Sequence, residues 1–348
     1  MKSVQSIVCS ILNQALFQTY EKYDYSDIDD ETWRKVYTEF ISHAIISLPA
    51  EILEQLPIPT DIMTEWEKNA FFGSAQFFRM AEEQKELLEL LKQEEIPFVI
   101  LKGMAAAITY PFPLLRCFGD IDFIVPPIYL DKAKSVLLSH DYIINDDNAE
   151  KEDNRHIGFI KNEIHFELHR YFAGQDDDEQ NLLDTMIFEN MDKCETGIIE
   201  QYTFPILPTI PNGLVLLKHI EQHLQTGLGL RQILDWLLFV KTNLTDQTWE
   251  HFRKQSDRIG LTGLAIHVTR MGQLFLGFPK ADYTWCKPAD EKICANLMEY
   301  IFQSGNFGHK KVDTSIMIGA MTRMRQDFFH ALQSSGEKTG NYWKNIHF

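Results

Sequence analysis

Val4, Ile7, Val8, Ile11, Leu12, Ala15 and Leu16 recur at three- and four-residue steps, which predicts an amphipathic helix at the start of the chain. Gln5, Ser6, Ser10, Asn13 and Gln14 interrupt its apolar side and set it apart from a signal peptide. An acidic linker, Tyr23 to Asp30, comes next. Asp30 is placed to cap a second helix that starts at Glu31-Thr32-Trp33 and runs to about Leu48. Thr60-Asp61 opens a long third helix, ending near Glu95 ahead of Pro97. Its Phe71, Phe72, Phe77 and Phe78 are expected in the core rather than stacked on a ligand.

At Pro97 the pattern shortens. Phe98-Val99-Ile100-Leu101 is a compact apolar run, and the Ala-rich stretch from Met104 to Tyr110 is one or two turns of helix, stopped by Pro111 and Pro113. Arg116 to Gly119 is a polar loop, and Asp120 to Val125 is a strand. A helix over Leu130 to Leu138 and a short strand at Tyr142-Ile143-Ile144 follow. Arg155 to Ile160 and Ile164 to Arg170 form a hairpin across Lys161-Asn162-Glu163. Asp176, Asp177, Asp178 and Glu179 are expected in a solvated turn before a helix at about 180–191. Cys194 to Leu207 carries one or two strands bounded by Pro205 and Pro208.

From Pro211-Asn212-Gly213 onward the pattern is helical. Gly227 and Gly229 mark a turn before the helix opened by Leu230, and further helices are expected over Trp249 to Ile259, Leu264 to Leu276, Ala289 to Phe302 and Ile316 to Leu332. Gly305, Phe307, Gly308 and His309 form a glycine-bearing loop, and the tail from Ser334 to Phe348 is expected to be mobile. The fold class is α+β. An N-terminal helical segment (1–95) serves as a lid or brace, a small sheet-bearing core spans 96–208, and a helical domain spans 209–348.

A chain of 348 residues that is 45% hydrophobic and 12% aromatic can bury a substantial core. Its net charge of -17 disfavours a general nucleic-acid surface, which needs clustered Lys and Arg, but leaves room for a local basic pocket. The five cysteines, Cys9, Cys117, Cys194, Cys286 and Cys294, have neither CxxC nor zinc spacing and are read as reduced thiols of a cytoplasmic protein. No apolar run is long enough for a membrane span.

The candidate chemistry centres on the strand from Asp120. Side chains alternate along a strand, so Asp120 and Asp122 share one face while Ile121 and Phe123 take the other. Two adjacent carboxylates repel unless a cation lies between them, and Mg2+ suits such oxygen ligands. The plain alternative is a surface strand with two solvated acids. In the hairpin, His165, Glu167 and His169 share a face, which also allows a zinc or iron site from those three. His219 and His223 lie one turn apart on one helix. Arg231 and Asp235 have the spacing of a helical ion pair; alternatively, His219, His223 and Arg231 face a ligand.

Lys102-Gly103, Arg116, Gly119, Asp120-Ile121-Asp122 and the apolar strand tail resemble the core of the polymerase-beta-type nucleotidyltransferases, and more narrowly their "uncharacterised nucleotidyltransferase" branch. The resemblance covers roughly residues 97–240 and implies a small mixed-sheet nucleotidyltransferase core. It implies that Asp120 and Asp122 hold catalytic metal, and that Glu167, ahead of Leu168-His169, is the third carboxylate as metal ligand or base. It also implies that Lys102, Gly103, Arg116, Gly119, His169, His219, His223 and Arg231 bind nucleotide. Met104 follows Gly103 where the family has Ser, the gap from Gly103 to Asp120 is on the long side, and Glu167 stands where Asp is commoner.

The implied function is transfer of a nucleoside monophosphate from an NTP, with ATP the expected nucleotide, to a hydroxyl of a small molecule or protein, using Mg2+ or Mn2+ and releasing pyrophosphate. No long nucleic acid and no membrane is expected as partner. The alternative is a catalytically inactive nucleotidyltransferase fold that binds nucleotide or a protein partner, and Met104 and Glu167 are what favour it.

Overall fold

The computed structural model describes residues 3–19, 23–145, 155–173, 178–306 and 310. Helix α1 (Val4–Leu12) is capped by Ser3, whose hydroxyl accepts from the Ser6 N–H, and runs into a π-helical turn over Asn13–Phe17. Helix α2 (Asp30–Ser42) is capped by Asp29 rather than Asp30; the Asp29 carboxylate accepts from the Thr32 N–H at 2.7 Å. It ends well short of Leu48. Ala44 takes φ 53°, and the Ile45 N–H turns back onto the Phe40 carbonyl, so the chain leaves the helical path there.

Helix α3 (Thr60–Gln93) buries a stripe through Trp66, Ala70, Phe77, Met80, Ala81, Leu87, Leu88 and Leu91. Only one of its four phenylalanines lies on that stripe. Phe77 is fully buried, whereas Phe71, Phe72 and Phe78 are 71%, 56% and 41% exposed, which corrects the expectation that all four are core. Phe71 and Phe72 follow Ala70 directly, and Phe78 follows Phe77. Each added residue rotates about 100° around the helix and leaves the apolar face.

Strand β1 (Val99–Leu101) leads into the short helix α4 (Gly103–Ala107), then β2 (Asp120–Ile124), α5 (Leu130–Ser139) and β3 (Ile143–Ile144). The hairpin is β4 (His156–Lys161) and β5 (Ile164–His169), joined by Asn162 and Glu163 at φ 49° and 64°. Two successive positive φ values suit the tight turns that match strand twist. Helix α6 (Asp178–Phe188) contains Asp178 and Glu179, so these two acids open a helix rather than lie in a turn; Asp176 and Asp177 fall outside the described residues. Strands β6 (Glu195–Ile199) and β7 (Tyr202–Ile206) complete a seven-stranded mixed sheet of order β3-β4-β5-β2-β1-β7-β6. Pro205 lies inside β7 instead of bounding it. The parallel pairing of β7 with β1 is recorded only at Ile100↔Ile206, so the missing proline N–H costs that side of the ladder little.

The C-terminal helices are α7 (Thr209–Thr226), α8 (Leu230–Asn243), α9 (Trp249–Arg258), α10 (Thr262–Phe275) and α11 (Glu291–Ser304). The expected helix Ile316 to Leu332, the tail from Ser334, and Phe307, Gly308 and His309 lie outside the described residues. No described helix is long and apolar enough to cross a membrane.

The sheet separates two cores. Ile121, Phe123 and Val125 belong to one cluster with Phe77 and Leu88 of α3 and Leu137 of α5. Val99, Leu101 and Ile124 belong to the other, with Leu217 of α7, Ile233 of α8 and Ile7 of α1. The N-terminal and C-terminal helices thus share one apolar cluster on the sheet face that also carries Asp122. This division of α3 gives a direct stability test. Phe77→Ala is expected to cost about 3–5 kcal/mol by urea unfolding, while Phe71→Ser and Phe72→Ser stay within about 0.5 kcal/mol. Equal losses at all three positions would contradict the assigned faces.

Candidate active site

Parallel pairing of β2 with β5 sets Asp120 beside His165, Asp122 beside Glu167 and Ile124 beside His169. Antiparallel β4 adds His156 opposite His169. Asp122 and Glu167 therefore sit side by side on a sheet face that also carries Asp120, His156 and His169. Helices α7 and α8 close over that face and leave a cleft of about 180 Å³. All the residues expected to form the site line this one cleft: Lys102, Gly103, Arg116, Gly119, Asp120, Asp122, Glu167, His169, His219, His223 and Arg231.

Candidate ligand atoms of Asp122, Glu167 and His169 lie within 4.8 Å of one another. Asp120 lines the cleft but is not part of that close group, and neither is His165. His165 is solvent-exposed, so the imagined trio of His165, Glu167 and His169 is replaced by Asp122, Glu167 and His169.

Charge on this face is balanced from within. The Lys102 ammonium lies 2.6 Å from Asp122 Oδ1, and His169 Nε2 lies 2.9 Å from the same oxygen. Glu167 sits between two rings, with His156 Nε2 3.4 Å from Oε1 and His169 Nε2 3.4 Å from Oε2. Burial raises the Glu167 pKa, but the hydrogen bond from His169 and the charge of Lys102 outweigh it and bring the carboxyl down to about 2. Burial works against charge on Lys102 and His169 as well. The Asp122, Glu167 and Asp120 charges nonetheless raise Lys102, and hydrogen bonds to Asp122 and Glu167 raise His169.

This donor set fits a divalent cation. Two buried or half-buried carboxylates already hold an ammonium against one of their oxygens, which is the charge such an ion would supply. His169 Nδ1 is buried without a hydrogen-bond partner, so coordination through Nε2 would leave an N–H there with nothing to accept it. His169 is better suited to donate to Asp122.

The opposite wall is cationic and imidazole-rich. His219 Nε2 and His223 Nε2 are 2.9 Å apart, so one ring donates and the other accepts. Burial, then Lys102 and Arg231, lower His223 to about 4; burial and Lys102 also hold His219 well below its ordinary value. Burial lowers Arg231, and the neighbouring Arg116 adds to the effect.

Asp235 does not have Arg231 as its hydrogen-bonded partner, as the helical spacing suggested. It accepts from Arg116 Nε at 2.8 Å and Nη2 at 2.7 Å, and from the Tyr110 hydroxyl at 2.7 Å. Arg116 Nη1 and Arg231 Nη1 both donate to the Cys117 carbonyl at 3.2 Å. Removing one partner of such a buried bidentate pair typically costs about 3–5 kcal/mol, so Arg116 and Asp235 tie the loop before β2 firmly to α8.

At the mouth of β1, Lys102 has φ 45° and Gly103 φ 30°. The glycine is required there by its backbone conformation; a Cβ would meet only the Asp120 carbonyl oxygen, at 3.7 Å. Met104, the departure from the family pattern, is 2% exposed and belongs to the core on the far side of the sheet.

Sequence reading missed Arg155, His156, Phe172, Gln222 and Thr226, which also line the cleft. His156 had a usable signal, because a two-residue turn at Asn162-Glu163 pairs it with His169. Gln222 and Thr226 lie on the same helical face as His219 and His223, so the 3.6-residue period carried them too. Phe172 lies beyond the end of β5 and had no periodic signal.

A family model described as an uncharacterised nucleotidyltransferase matches residues 29–277. Among solved structures, the solution structure of the antibiotic-resistance factor ANT(2'')-Ia is similar at a TM-score of 0.37 and 10% identity, covering 51% of this chain and 90% of that one. Comparison with curated proteins gives no match.

The histidine pair contributes a pH response of its own. A histidine whose folded pKa lies below its unfolded value binds fewer protons when folded. Stability present above pH 6.5 is then lost as the pH falls to about 4, where the loss levels off. For His223 that fall corresponds to about 3 kcal/mol. His223→Asn is expected to lose about that much less stability across the window, measured by urea unfolding at stepped pH. An unchanged pH slope would mean that His223 is not held neutral by its surroundings.

Proposed function

The chain belongs to the uncharacterised nucleotidyltransferase family, and from that premise we propose that its cleft transfers a nucleoside monophosphate from an NTP to a hydroxyl of a small molecule or protein. ATP is the nucleotide and Mg2+ or Mn2+ the metal in this reading. What supports it most is one observation: residues expected from β1, the loop before β2, β2, β5, α7 and α8 line a single cleft that has carboxylates on one wall and cations on the other.

Asp122 and Glu167 are the residues that would hold the metal, with Asp120 beside them at the strand start. When bound, the divalent cation neutralises phosphate charge and polarises the oxygens of the in-line displacement. Glu167, with its pKa held at about 2, is a far better anion than proton acceptor, so it serves as a ligand in preference to a base. Gly103 lets the backbone approach the phosphates without a side chain in the way. Lys102 and Arg231 balance charge on the leaving pyrophosphate. Arg116, already bidentate to Asp235, acts by holding the loop in place.

The His219–His223 pair is the proton acceptor for the acceptor hydroxyl. Lys102 and Arg231 help to keep these rings neutral and weakly basic. Phosphates neutralise those same two cations, so nucleotide binding moves the rings back toward their ordinary value, where they are more effective bases. The acceptor itself is set by chemistry alone as a hydroxyl. The acidic surface favours a cationic compound or a protein over a polynucleotide.

One observation favours the non-catalytic alternative. Met104, a thioether where the family has Ser, has no hydroxyl to offer a phosphate, and its side chain packs in the core. Thermal unfolding with each of the four NTPs, with and without Mg2+ or Mn2+, separates the readings from the outset. A ligand of the native state raises stability by RT ln(1 + [L]/Kd). A metal-dependent rise with ATP, lost in Asp120→Ala/Asp122→Ala, together with pyrophosphate release, is the expected result. A rise without pyrophosphate release for any acceptor would leave a binding protein, and no rise at millimolar nucleotide would remove the enzyme reading.

A further inference from the structure

The Lys102 ammonium occupies an unusual place. It lies in the carboxylate cluster, where the proposed function puts a divalent cation, and not among the cations of the opposite wall. Lys102 is 9% exposed, with Nζ 2.6 Å from Asp122 Oδ1 and 5.6 Å from the centre of the Phe172 ring. Its backbone adopts φ 45° and ψ -135°, a conformation that non-glycine residues rarely hold. The chain keeps a lysine there at a conformational cost, and the side chain is aimed at Asp122.

The same Asp122 oxygen accepts from His169 Nε2 at 2.9 Å, so both of its usual lone-pair directions are used. A divalent cation arriving alone finds Oδ1 already taken, and at any other oxygen of Asp122 it meets the positive charge of the ammonium close by. A nucleotide arriving alone meets Asp120, Asp122 and Glu167, whose charges repel its phosphates. Neither ligand alone removes the obstacle to its own binding, but each removes the obstacle to the other's.

The number of fixing contacts distinguishes Lys102 from Arg116. Arg116 is locked by two hydrogen bonds to Asp235 and a third to the Cys117 carbonyl. Lys102 holds Asp122 through one ammonium at the end of a flexible four-carbon stem, and its residue borders the same cleft as Gly103.

We propose that Lys102 is the resting site's own counter-cation, and that it passes from Asp122 to the nucleotide phosphates, so that metal and nucleotide bind strongly only together. This deepens the metal–nucleotide reading above and rests on it. The exchange is a binding step only, with no bond made or broken. By linkage the coupling is reciprocal: whatever factor the nucleotide adds to metal affinity, the metal adds to nucleotide affinity.

The test is calorimetric titration of the full chain with Mn2+, alone and in the presence of a non-hydrolysable ATP analogue. Wild type, Lys102→Met and Lys102→Arg are compared. In wild type the analogue is expected to tighten Mn2+ binding by about tenfold or more, within the usual range of such couplings. Lys102→Met is expected to bind Mn2+ alone about tenfold tighter than wild type, with the factor added by the analogue smaller by about as much. Lys102→Arg, which keeps the charge, is expected to bind Mn2+ alone as weakly as wild type. Wild-type Mn2+ binding that is strong alone and indifferent to the analogue overturns the proposal whether or not the variants fold. So does unchanged Mn2+ affinity in a folded Lys102→Met. If wild type binds neither Mn2+ nor the analogue under any combination, the metal–nucleotide reading itself fails, and this inference falls with it.

Discussion

Carboxylates on a buried sheet face must be neutralised by groups held close to them, and that constraint organises this protein. β2 and β5 pair in parallel with Asp122 directly beside Glu167, on the face that carries Ile124 into the main core. Burying such charge without compensation is prohibitive. Compensation comes from Lys102 at the end of β1 and His169 on the same strand as Glu167, while His156 on the neighbouring strand, its pKa lowered by burial, adds a neutral ring beside Glu167. The left-handed backbone at Lys102 follows from the same need, because the ammonium reaches Asp122 from that turn.

The second wall depends on a different buried pair. Arg116 belongs to the loop that delivers β2, and Asp235 to helix α8. Their bidentate contact, reinforced by Tyr110, fixes the distance between the carboxylate face and the helices that carry His219, His223 and Arg231. The cleft is thus defined by two ion pairs with unlike roles. Arg116–Asp235 is rigid and holds the walls apart, whereas Lys102–Asp122 is a single contact that ligands can exchange.

Much of this is legible in the sequence. Period-two alternation placed Asp120 with Asp122 and Glu167 with His169, and the helical period placed His219 with His223, because those patterns are local. Which residues join across elements was less accessible. Asp235 has a helical neighbour four residues back in Arg231, but its hydrogen-bond partners come from positions 110 and 116. His165 obeys the alternation rule yet is exposed, since the sheet face extends past the region that the helices cover. Phe71 and Phe72 were misplaced because a run of aromatics carries no phase of its own; the stripe through Ala70 and Phe77 decides which face is buried. Cap positions shifted by one residue, at Asp29 instead of Asp30, as expected where two adjacent acids can each serve.

The family relationship and the cleft meet in a single claim: the Asp122–Glu167 face is where metal and nucleotide phosphates come together. Anomalous diffraction from crystals grown with Mn2+ and a non-hydrolysable ATP analogue examines that claim most directly. The expected result is an Mn2+ peak within coordination distance of the Asp122 and Glu167 carboxylates, the triphosphate over Gly103, and the Lys102 ammonium withdrawn from Asp122. An analogue bound elsewhere, or phosphates in the cleft with Lys102 still paired to Asp122 and no manganese beside it, would contradict it.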